Sequence, residues 1–339
     1  MPLSEPVEFV RLKTAITSLV VARTFSWARP EFEKDRPAEA EVFRGYELPH
    51  QPAVMNRRAL LQLAAIGAGH MMLSRKGFAR SDPQQRIGCA VRSDQLARYP
   101  HLLGLRVIEI EDWLDPTFPE RSAQVLTVAQ KALSGYRGRI LLSGPFIDLN
   151  PGTSERLIQQ ATRQRFDECY RFARAIRARE IIFLSSYLPI INLSFYDQNW
   201  LTQSVAFWRS YLDEVDPHVT LSLCNTFEYH PDLMVKVVEE VRRPNFLLAF
   251  DLGHFLVYGQ ESLTDWLRKT ASHISSVYIH SNNGHTDTHD EPGRGVLTCK
   301  QVNQVAAAVV PDANLILKMS SKERLADSLA WVRACRAHA

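Results

Sequence analysis

Residues 246–254 read FLLAFDLGH, and this stretch is among the most informative for the fold. Its first five residues form an apolar run typical of a buried strand, and Asp251 stands at the C-terminal end of that run. A second apolar run, residues 274–279, ends in the same way at His280. A (β/α)8 barrel builds its active site from polar residues at the C-terminal ends of parallel strands, so the two runs together favour that fold.

The same alternation of short apolar runs and longer helical patterns continues along the chain from residue 86. It predicts parallel strands joined by crossover helices, and so an α/β fold, a (β/α)8 TIM barrel over residues 86–339 with an N-terminal extension. The predicted strands are 86–91, 105–110, 139–143, 180–185, 219–223, 246–250, 274–279 and 314–318. The predicted helices include 154–178, 197–215, 230–242, 261–271, 299–309 and 322–336. A doubly wound open sheet is the competing fold, but the Gly-rich nucleotide loop typical of it does not occur.

Composition narrows the class of protein. The chain has 339 residues, of which 45% are hydrophobic, and its net charge is +3. So small a charge gives no support on its own to nucleic-acid or membrane binding. A small-molecule substrate is the predicted partner, and the sequence does not indicate the oligomeric state. The cysteines are scattered and include no CxxC pair, so we expect free thiols rather than a disulfide framework. They are Cys89, Cys169, Cys224, Cys299 and Cys335.

The N-terminal part of the chain differs in character from the predicted barrel. Residues 1–54 mix charges with prolines, and we expect an extension of irregular structure. Residues 55–85 begin at Met55 with an arginine pair and then an apolar stretch too short for a stable membrane span. This pattern resembles a twin-arginine export signal, and an amphipathic helix is the alternative. A functional signal starting at Met55 predicts a periplasmic protein, and otherwise a cytoplasmic location is expected.

Potential metal ligands cluster after the two apolar runs described first. Five of them fall within 39 residues, namely Asp251, His254, His280, Asp287 and His289. Asp287 and His289 are two residues apart, so in extended backbone both side chains would point the same way. Imidazole nitrogens and carboxylate oxygens form an ordinary ligand set for Zn or Mn. We therefore predict a divalent metal, Zn or Mn, bound by residues of this group.

Four motifs together resemble the xylose isomerase-like barrel superfamily. They are GPFIDLNP at 144–151, NTFE at 225–228, DLGH at 251–254 and the segment 280–295, which ends in GRG. The superfamily includes sugar phosphate isomerases and epimerases as well as endonuclease IV enzymes. The resemblance covers roughly residues 86–336. It implies a carbohydrate-type substrate and a divalent metal at the C-terminal ends of the strands.

The resemblance also implies ligands at the ends of strands five to eight, in the order Glu, Asp, His and Glu. Asp251 and His280 match this order, but Cys224 and Lys318 stand at the two glutamate positions. We expect Cys224 to be a small buried side chain. Lys318 brings a positive charge of its own, which predicts an electrostatic substitute for a metal ion or an ion pair with Asp251. The alternative is a side chain at the strand end that extends its charged group into solvent. A second ligand set of the family is intact, as His254, Asp287 and His289.

Three hypotheses on function follow from these residues. The leading one is isomerisation or epimerisation of a small sugar, sugar phosphate or polyol derivative, with catalytic roles for Lys318, Asp251 and His280. The second is a catalytically silent barrel that binds carbohydrate or serves as an interaction module. The third is a phosphodiester hydrolase of the endonuclease IV type, against which the weak net charge argues. Contacts with substrate are expected from Glu109, Glu111, Cys224, Asn225 and Arg294.

Overall fold

The structure is a computed structural model, and it describes residues 86–309 and 313–337. The predictions for 1–54 and 55–85, including the export-signal hypothesis, fall outside the described residues. No helix among the described residues is long and apolar enough to cross a membrane.

Eight parallel strands close into a barrel in sequence order. They are β1 (Ile87–Val91), β2 (Val107–Ile110), β3 (Arg139–Ser143), β4 (Glu180–Leu184), β5 (Thr220–Cys224), β6 (Phe246–Asp251), β7 (Ile274–Ile279) and β8 (Asn314–Leu317). The barrel closes where β8 pairs with β1, with Ile87 beside Leu315. The predicted (β/α)8 TIM barrel is confirmed, and each predicted strand end lies at most two residues from the observed one.

Helices lie between the strands along the chain. They are α1 (Ser93–Arg98), α2 (Ser122–Ala132), α3 (Arg156–Ala175), α4 (Tyr196–Leu212), α5 (Asp232–Val241), α6 (Leu252–Tyr258), α7 (Leu263–Thr270), α8 (Cys299–Val309) and α9 (Leu325–Ala337). Helix α6 follows β6 without a loop and was not among the predicted helices. It begins where the DLGH motif begins, so the motif is the junction between a strand and a helix.

Strand side chains alternate between two apolar layers, as the period of two requires. The larger layer lies between strands and helices and contains the biggest fully buried side chains, among them Trp113, Trp200 and Trp266. The smaller layer fills the barrel interior with compact side chains: Ala90, Val107, Leu141, Ile182, Cys224, Ala249, Tyr278 and Ile316. The interior is therefore a packed core rather than a channel.

A buried carboxylate closes the N-terminal end of the barrel. Glu180, at the start of β4, is fully buried, and one of its oxygens accepts hydrogen bonds from three hydroxyl groups. The donors are the Oγ atoms of Ser222 at 2.8 Å, Ser275 at 2.7 Å and Ser276 at 2.9 Å. This end is occupied by a satisfied polar cluster. A small ligand is thus expected at the opposite, C-terminal end.

One prediction about the cysteines is wrong. Cys299, the first residue of α8, forms a disulfide with Cys335 in α9, and their Cα atoms are 5.0 Å apart. Residues 36 apart in sequence give no local signal of pairing, because only the packing of α8 against α9 brings them together. The expectation of free thiols holds for Cys89, Cys169 and Cys224, all of which are buried. The disulfide joins the two helices that follow β7 and β8.

Replacing both Cys299 and Cys335 with serine should lower the free energy of unfolding by about 4 kcal/mol, because the cross-link restricts the unfolded chain. Urea unfolding of the oxidised protein and of the variant measures the difference. Dithiothreitol should lower the midpoint of the parent protein and leave that of the double variant unchanged. If reductant leaves the parent midpoint unchanged, the cross-link does not contribute to stability.

Candidate metal centre

Four potential ligands converge at the C-terminal end of the barrel. His254, His280, Asp287 and His289 each offer one atom, and these four atoms lie within 4.8 Å of one another. His254 lies in the first turn of α6 and His280 directly follows β7. Asp287 and His289 come from the loop between β7 and α8. The structure therefore brings together four of the five residues for which the sequence predicts metal binding.

Asp251 lies behind this group rather than within it. It is the N-cap of α6, and its Oδ1 accepts a hydrogen bond from the backbone N–H of His254 at 2.8 Å. The same oxygen lies 2.8 Å from Nε2 of His280. Because a carboxylate only accepts, Nε2 of His280 is the donor, and in the neutral imidazole Nδ1 keeps a free lone pair. Asp251 thus fixes the positions of two potential ligands at once.

The other two imidazoles are held by backbone carbonyl groups. Nδ1 of His254 donates to the carbonyl oxygen of Asn225 at 2.8 Å, and Nδ1 of His289 donates to that of Lys318 at 2.8 Å. A carbonyl oxygen can only accept, so both rings carry a proton on Nδ1 and turn Nε2 towards Asp287, where Nε2 holds either a second proton or, in the neutral ring, a free lone pair. Such outer hydrogen bonds commonly fix the tautomer and the orientation of a metal-binding histidine.

The presented nitrogens all face Asp287. Its Oδ2 lies 3.1 Å from Nε2 of His254 and 3.1 Å from Nε2 of His289, and its Oδ1 lies 3.8 Å from Nδ1 of His280. Nδ1 of His280 and Oδ1 of Asp287 are buried and have no hydrogen-bond partner. Buried polar atoms without partners are rare in folded proteins, so these two call for a ligand. The donor set fits a divalent metal ion.

The charges of the group support the same conclusion. Burial acts against ionisation of Asp287, but its contacts with His254 and His289 hold its pKa well below the usual range. Burial also tends to lower the pKa of His254, yet Asp251 and Asp287 raise it to about 9. The pKa of His289 is raised too, since its hydrogen bond to Asp287 outweighs burial. The carboxylates therefore require positive charge here, which protons or a metal ion can supply.

The loop between β7 and α8 has an irregular backbone where it approaches the four converging ligands. Ser281 and Asp290 form a short antiparallel bridge, with both backbone hydrogen bonds at 2.8 Å. His289 adopts a left-handed conformation with φ of 51°, which costs roughly 1–3 kcal/mol in a residue other than glycine. Asp287 and His289 do meet, as predicted, but the extended backbone on which that prediction rested is absent.

Gly253 permits the close packing of α6 against His280. A Cβ atom at this position would lie 2.0 Å from Cε1 of the His280 ring, which no real structure allows. The glycine therefore sets how near the first turn of α6 comes to the end of β7. Asn282 secures the same contact, since its Nδ2 donates to the carbonyl oxygen of Gly253 at 2.8 Å.

Gly253→Ala should displace the His280 ring and lower the free energy of unfolding by about 1–3 kcal/mol through overpacking. In an ordinary helix the same change stabilises by roughly 1 kcal/mol, so the sign is diagnostic. Gly104→Ala is the matched control, because an added Cβ there meets no atom within 4 Å. Urea unfolding of both variants measures the effect. Equal stability of the two variants would mean that α6 is not packed against His280 as described.

Lys318, which directly follows β8, points across the barrel. Its Nζ lies 3.0 Å from Oε1 of Glu109 on β2 and 2.9 Å from Oγ of Ser143 on β3. It also lies 4.0 Å from the ring centre of Tyr278, whose hydroxyl donates to Glu109 at 2.6 Å. The alternative of an ion pair with Asp251 is wrong, because Lys318 is paired with Glu109 instead.

Burial tends to lower the pKa of Lys318, but the carboxylate of Glu109 outweighs it, so the pKa is raised. The ammonium group therefore stays charged near neutral pH. It forms a permanent positive charge inside the barrel end, beside the potential ligands. No binding of a metal ion is needed to place positive charge at this position.

Two of the residues predicted to contact the substrate have structural roles. The side chain of Asn225 binds the backbone of Asp251, donating to its carbonyl oxygen at 3.0 Å and accepting from its N–H at 2.7 Å. Asn225 thus ties the end of β5 to the end of β6. Cys224 is fully buried in the barrel interior, as expected of a small side chain, and burial raises the pKa of its thiol.

The remaining predicted contacts lie near the edge of the barrel end. Glu111 pairs with the buried Lys322 at 3.2 Å, a second lysine–glutamate pair between β2 and the residues after β8. Arg294 is 59% exposed and lies 3.7 Å from Glu291 in the loop between β7 and α8. Arg294 is therefore outside the group of potential ligands.

Sequence reasoning did not single out Glu228, a buried carboxylate that interacts electrostatically with His254. This carboxylate follows β5 and is 2% exposed. It accepts hydrogen bonds from Oγ of Ser185 and, at 2.6 Å, from the backbone N–H of Thr226. Burial raises its pKa. The signal was present in the NTFE motif at 225–228, where the glutamate lies near a predicted strand end.

Fold and site together define a (β/α)8 barrel with converging potential metal ligands at its C-terminal end. A family profile described as xylose isomerase-like TIM barrel matches residues 101–335, and the chain belongs to this family. The chain is also 21% identical to an uncharacterized protein of Methanocaldococcus jannaschii over 211 residues, which are 58% of this chain and 72% of that protein.

Several solved structures share the fold. A D-tagatose 3-epimerase-like protein superposes with a TM-score of 0.62 at 17% identity, covering 75% of this chain and 97% of that one. A Thermus thermophilus protein soaked with zinc chloride gives 0.59 at 21% identity, covering 75% and 99%. A D-psicose 3-epimerase studied in the presence of D-fructose gives 0.58 at 13% identity, covering 75% and 97%. At these identities the likeness shows the fold alone.

Proposed function

We propose that the protein is a metal-dependent isomerase or epimerase of a small carbohydrate or polyol derivative. The observation that carries the proposal is the convergence of presented nitrogens on Asp287, with Nδ1 of His280 and Oδ1 of Asp287 buried and unpartnered. The epimerase names of two structural neighbours support the choice of chemistry. The zinc-soaked neighbour supports the choice of a metal site.

His254, Asp287 and His289 are the proposed ligands of one Zn or Mn ion. Two imidazoles and one carboxylate leave a position open for a substrate oxygen, as is typical of catalytic metal sites. His280 borders this position through its free Nδ1 and is a potential fourth ligand. When bound, the ion would supply a Lewis acid for a carbonyl or hydroxyl oxygen of the substrate.

Asp251 is proposed as a positioning residue. Its Oδ1 already accepts hydrogen bonds from His254 and His280, so it is better placed to orient these side chains than to bind the ion. This differs from the role that the family resemblance implies for it. It leaves the ligand set weighted towards imidazole nitrogen, which favours Zn over the harder Mn.

Lys318 is the proposed source of fixed positive charge in the reaction. Isomerisation and epimerisation beside a carbonyl group place negative charge on an oxygen as a proton leaves carbon. A preorganised ammonium stabilises such a charge strongly where water is excluded. Lys318 is 8% exposed, and Glu109 and Ser143 hold it in place. Glu228 is the proposed proton carrier, because it is a buried carboxyl group that interacts electrostatically with His254 and whose pKa is raised by burial.

A catalytically silent carbohydrate-binding barrel is the second candidate function. The observation that favours it is the Lys318–Glu109 pair, whose hydrogen bonds satisfy the ammonium within the protein. An ion pair of this kind can serve the fold without taking part in chemistry. In that case the metal centre would serve binding alone.

A periplasmic location is proposed on condition that the segment from Met55 acts as an export signal. The disulfide between Cys299 and Cys335 supports this, because structural disulfides persist in oxidising compartments and are rare in the cytosol of most organisms. Without a functional signal, the expected location is the cytoplasm.

The metal is tested by titration of chelator-treated protein with zinc. One ion per chain should bind, and His289→Ala should weaken binding at least a hundredfold, because it removes one of three ligands. His285→Ala is the matched control, since this histidine is exposed in the same loop and lies outside the converging group. Isothermal titration calorimetry and elemental analysis give affinity and stoichiometry. Equal affinities of the two variants would contradict the assigned ligands.

The role of Lys318 is tested by turnover of a panel of ketoses and their phosphates. Lys318→Met combined with Glu109→Gln removes the pair without leaving a buried charge. We expect turnover to fall at least a hundredfold, which is the effect typical for loss of one preorganised donor. The zinc stoichiometry should stay at one per chain. Lys322→Met with Glu111→Gln is the control pair. Parent protein that binds zinc and a ketose but never converts it would favour the silent barrel.

A further inference from the structure

Two aromatic side chains pack against each other at the C-terminal end of the barrel. Phe227 lies in the segment that follows β5 and is 39% exposed. Tyr258 is the last residue of α6 and is half-buried. Their rings meet edge to face, with centres 5.1 Å apart and an angle of 80° between the planes. The two rings therefore form one aromatic surface, which we call the Phe227–Tyr258 wall.

The wall adjoins His254, one of the proposed metal ligands. His254 and Tyr258 are four residues apart in α6, so both side chains lie on the same face of this helix. The centres of their rings are 6.5 Å apart. Burial raises the pKa of the Tyr258 hydroxyl, and the nearby charge of Asp287 raises it further. The wall thus borders the converging ligands on the side of β5 and β6.

Phe227 extends the wall from Tyr258 towards solvent. An aromatic side chain can bury about 150–250 Å² of surface, and removing that surface from water is favourable. A single exposed apolar side chain is common and calls for no explanation. An aromatic pair next to a polar centre differs, because small-molecule sites combine aromatic walls with a few precisely placed polar groups. Here the wall supplies the aromatic part of such a site, and the converging ligands supply the polar part.

The charges at the barrel end favour a substrate without a phosphate group. Lys318 pairs with Glu109 at 3.0 Å, and Lys322 pairs with Glu111 at 3.2 Å. A phosphate ester carries about two negative charges at neutral pH and binds best to arginine or lysine side chains that can pair with it. Both lysines that follow β8 already pair with a glutamate, and the wall itself is uncharged. An uncharged sugar avoids the cost of burying a charge that has no partner.

We propose that the Phe227–Tyr258 wall binds the carbon skeleton of the substrate and selects uncharged sugars over sugar phosphates. The C–H groups on one face of the sugar would pack against the two rings, while its oxygen atoms turn towards the metal centre. The inference rests on the proposed carbohydrate specificity of the site, and it does not depend on the reaction that follows binding. Phe227 and Tyr258 are thus residues that determine specificity.

Isothermal titration calorimetry of the zinc-loaded protein tests the proposal with two matched pairs of ligands. The pairs are D-fructose with D-fructose 6-phosphate, and D-xylulose with D-xylulose 5-phosphate. Each free ketose should bind about tenfold more tightly than its ester, because the ester brings a charge without a partner. Phe227→Ala and Tyr258→Ala should each weaken binding of the free ketoses about tenfold, the lower end of what an apolar contact contributes to discrimination.

Zinc affinity distinguishes a wall that contacts sugar from a mere support for His254. It should be unchanged in both alanine variants, and Phe227→Tyr should bind the ketoses like the parent because it keeps an aromatic ring. Phe207→Ala is the matched control. Phe207 is a half-buried residue of α4 that stacks on Tyr211 with ring centres 5.8 Å apart, and it is not part of the wall. This control should bind the ketoses like the parent.

Three results would overturn the proposal. The esters could bind as tightly as the free ketoses. The alanine variants could bind the ketoses like the parent, or could lose zinc affinity in step with ketose affinity. The parent protein could fail to bind either ketose at about 10 mM, above the usual range of Michaelis constants. A parent protein that binds D-fructose in this way without converting it would support the wall and contradict the proposed isomerase.

Discussion

Oδ1 of Asp251 accepts hydrogen bonds from the His254 backbone and from the His280 ring, both at 2.8 Å. The first bond starts helix α6 immediately after β6 and so places His254 over the barrel end. The second bond fixes the tautomer of His280. The backbone of Asp251 is held in turn by the side chain of Asn225. The position of two of the four converging side chains thus depends on one carboxylate at a strand end.

Positive charge at the barrel end comes from two different sources. Beside β2, β3 and β8 it is built in as the ammonium of Lys318, which Glu109 keeps protonated. Beside β6 and β7 the positive charge has to come from protons or from a bound metal ion. Burial tends to lower the pKa of His254 there, but the carboxylates of Asp251 and Asp287 raise it to about 9. A covalent lysine cannot leave its position, whereas a metal ion can. The positive charge of Lys318 is therefore permanent, whereas the positive charge beside β6 and β7 depends on what binds there.

The sequence was sufficient to predict the barrel, because apolar runs of strand length alternate with helical patterns over the whole described region. It was also sufficient to place Asp251, His254 and His280 at one end of the barrel, since residues at strand ends share that end. It could not predict that Lys318 pairs with Glu109, 209 residues away, because that contact depends on the registers of β2 and β8. The left-handed His289, the close approach at Gly253 and the disulfide from Cys299 to Cys335 depend likewise on tertiary packing.

His254, Asp287 and His289 are proposed to bind a divalent ion while Asp251 orients its neighbours. Anomalous diffraction at the zinc absorption edge, from crystals of the full chain grown with zinc, tests it most directly. We expect one peak about 2.0–2.2 Å from Nε2 of His254, Nε2 of His289 and a carboxylate oxygen of Asp287. A peak bound to Asp251, or the absence of any peak at the barrel end, would contradict it.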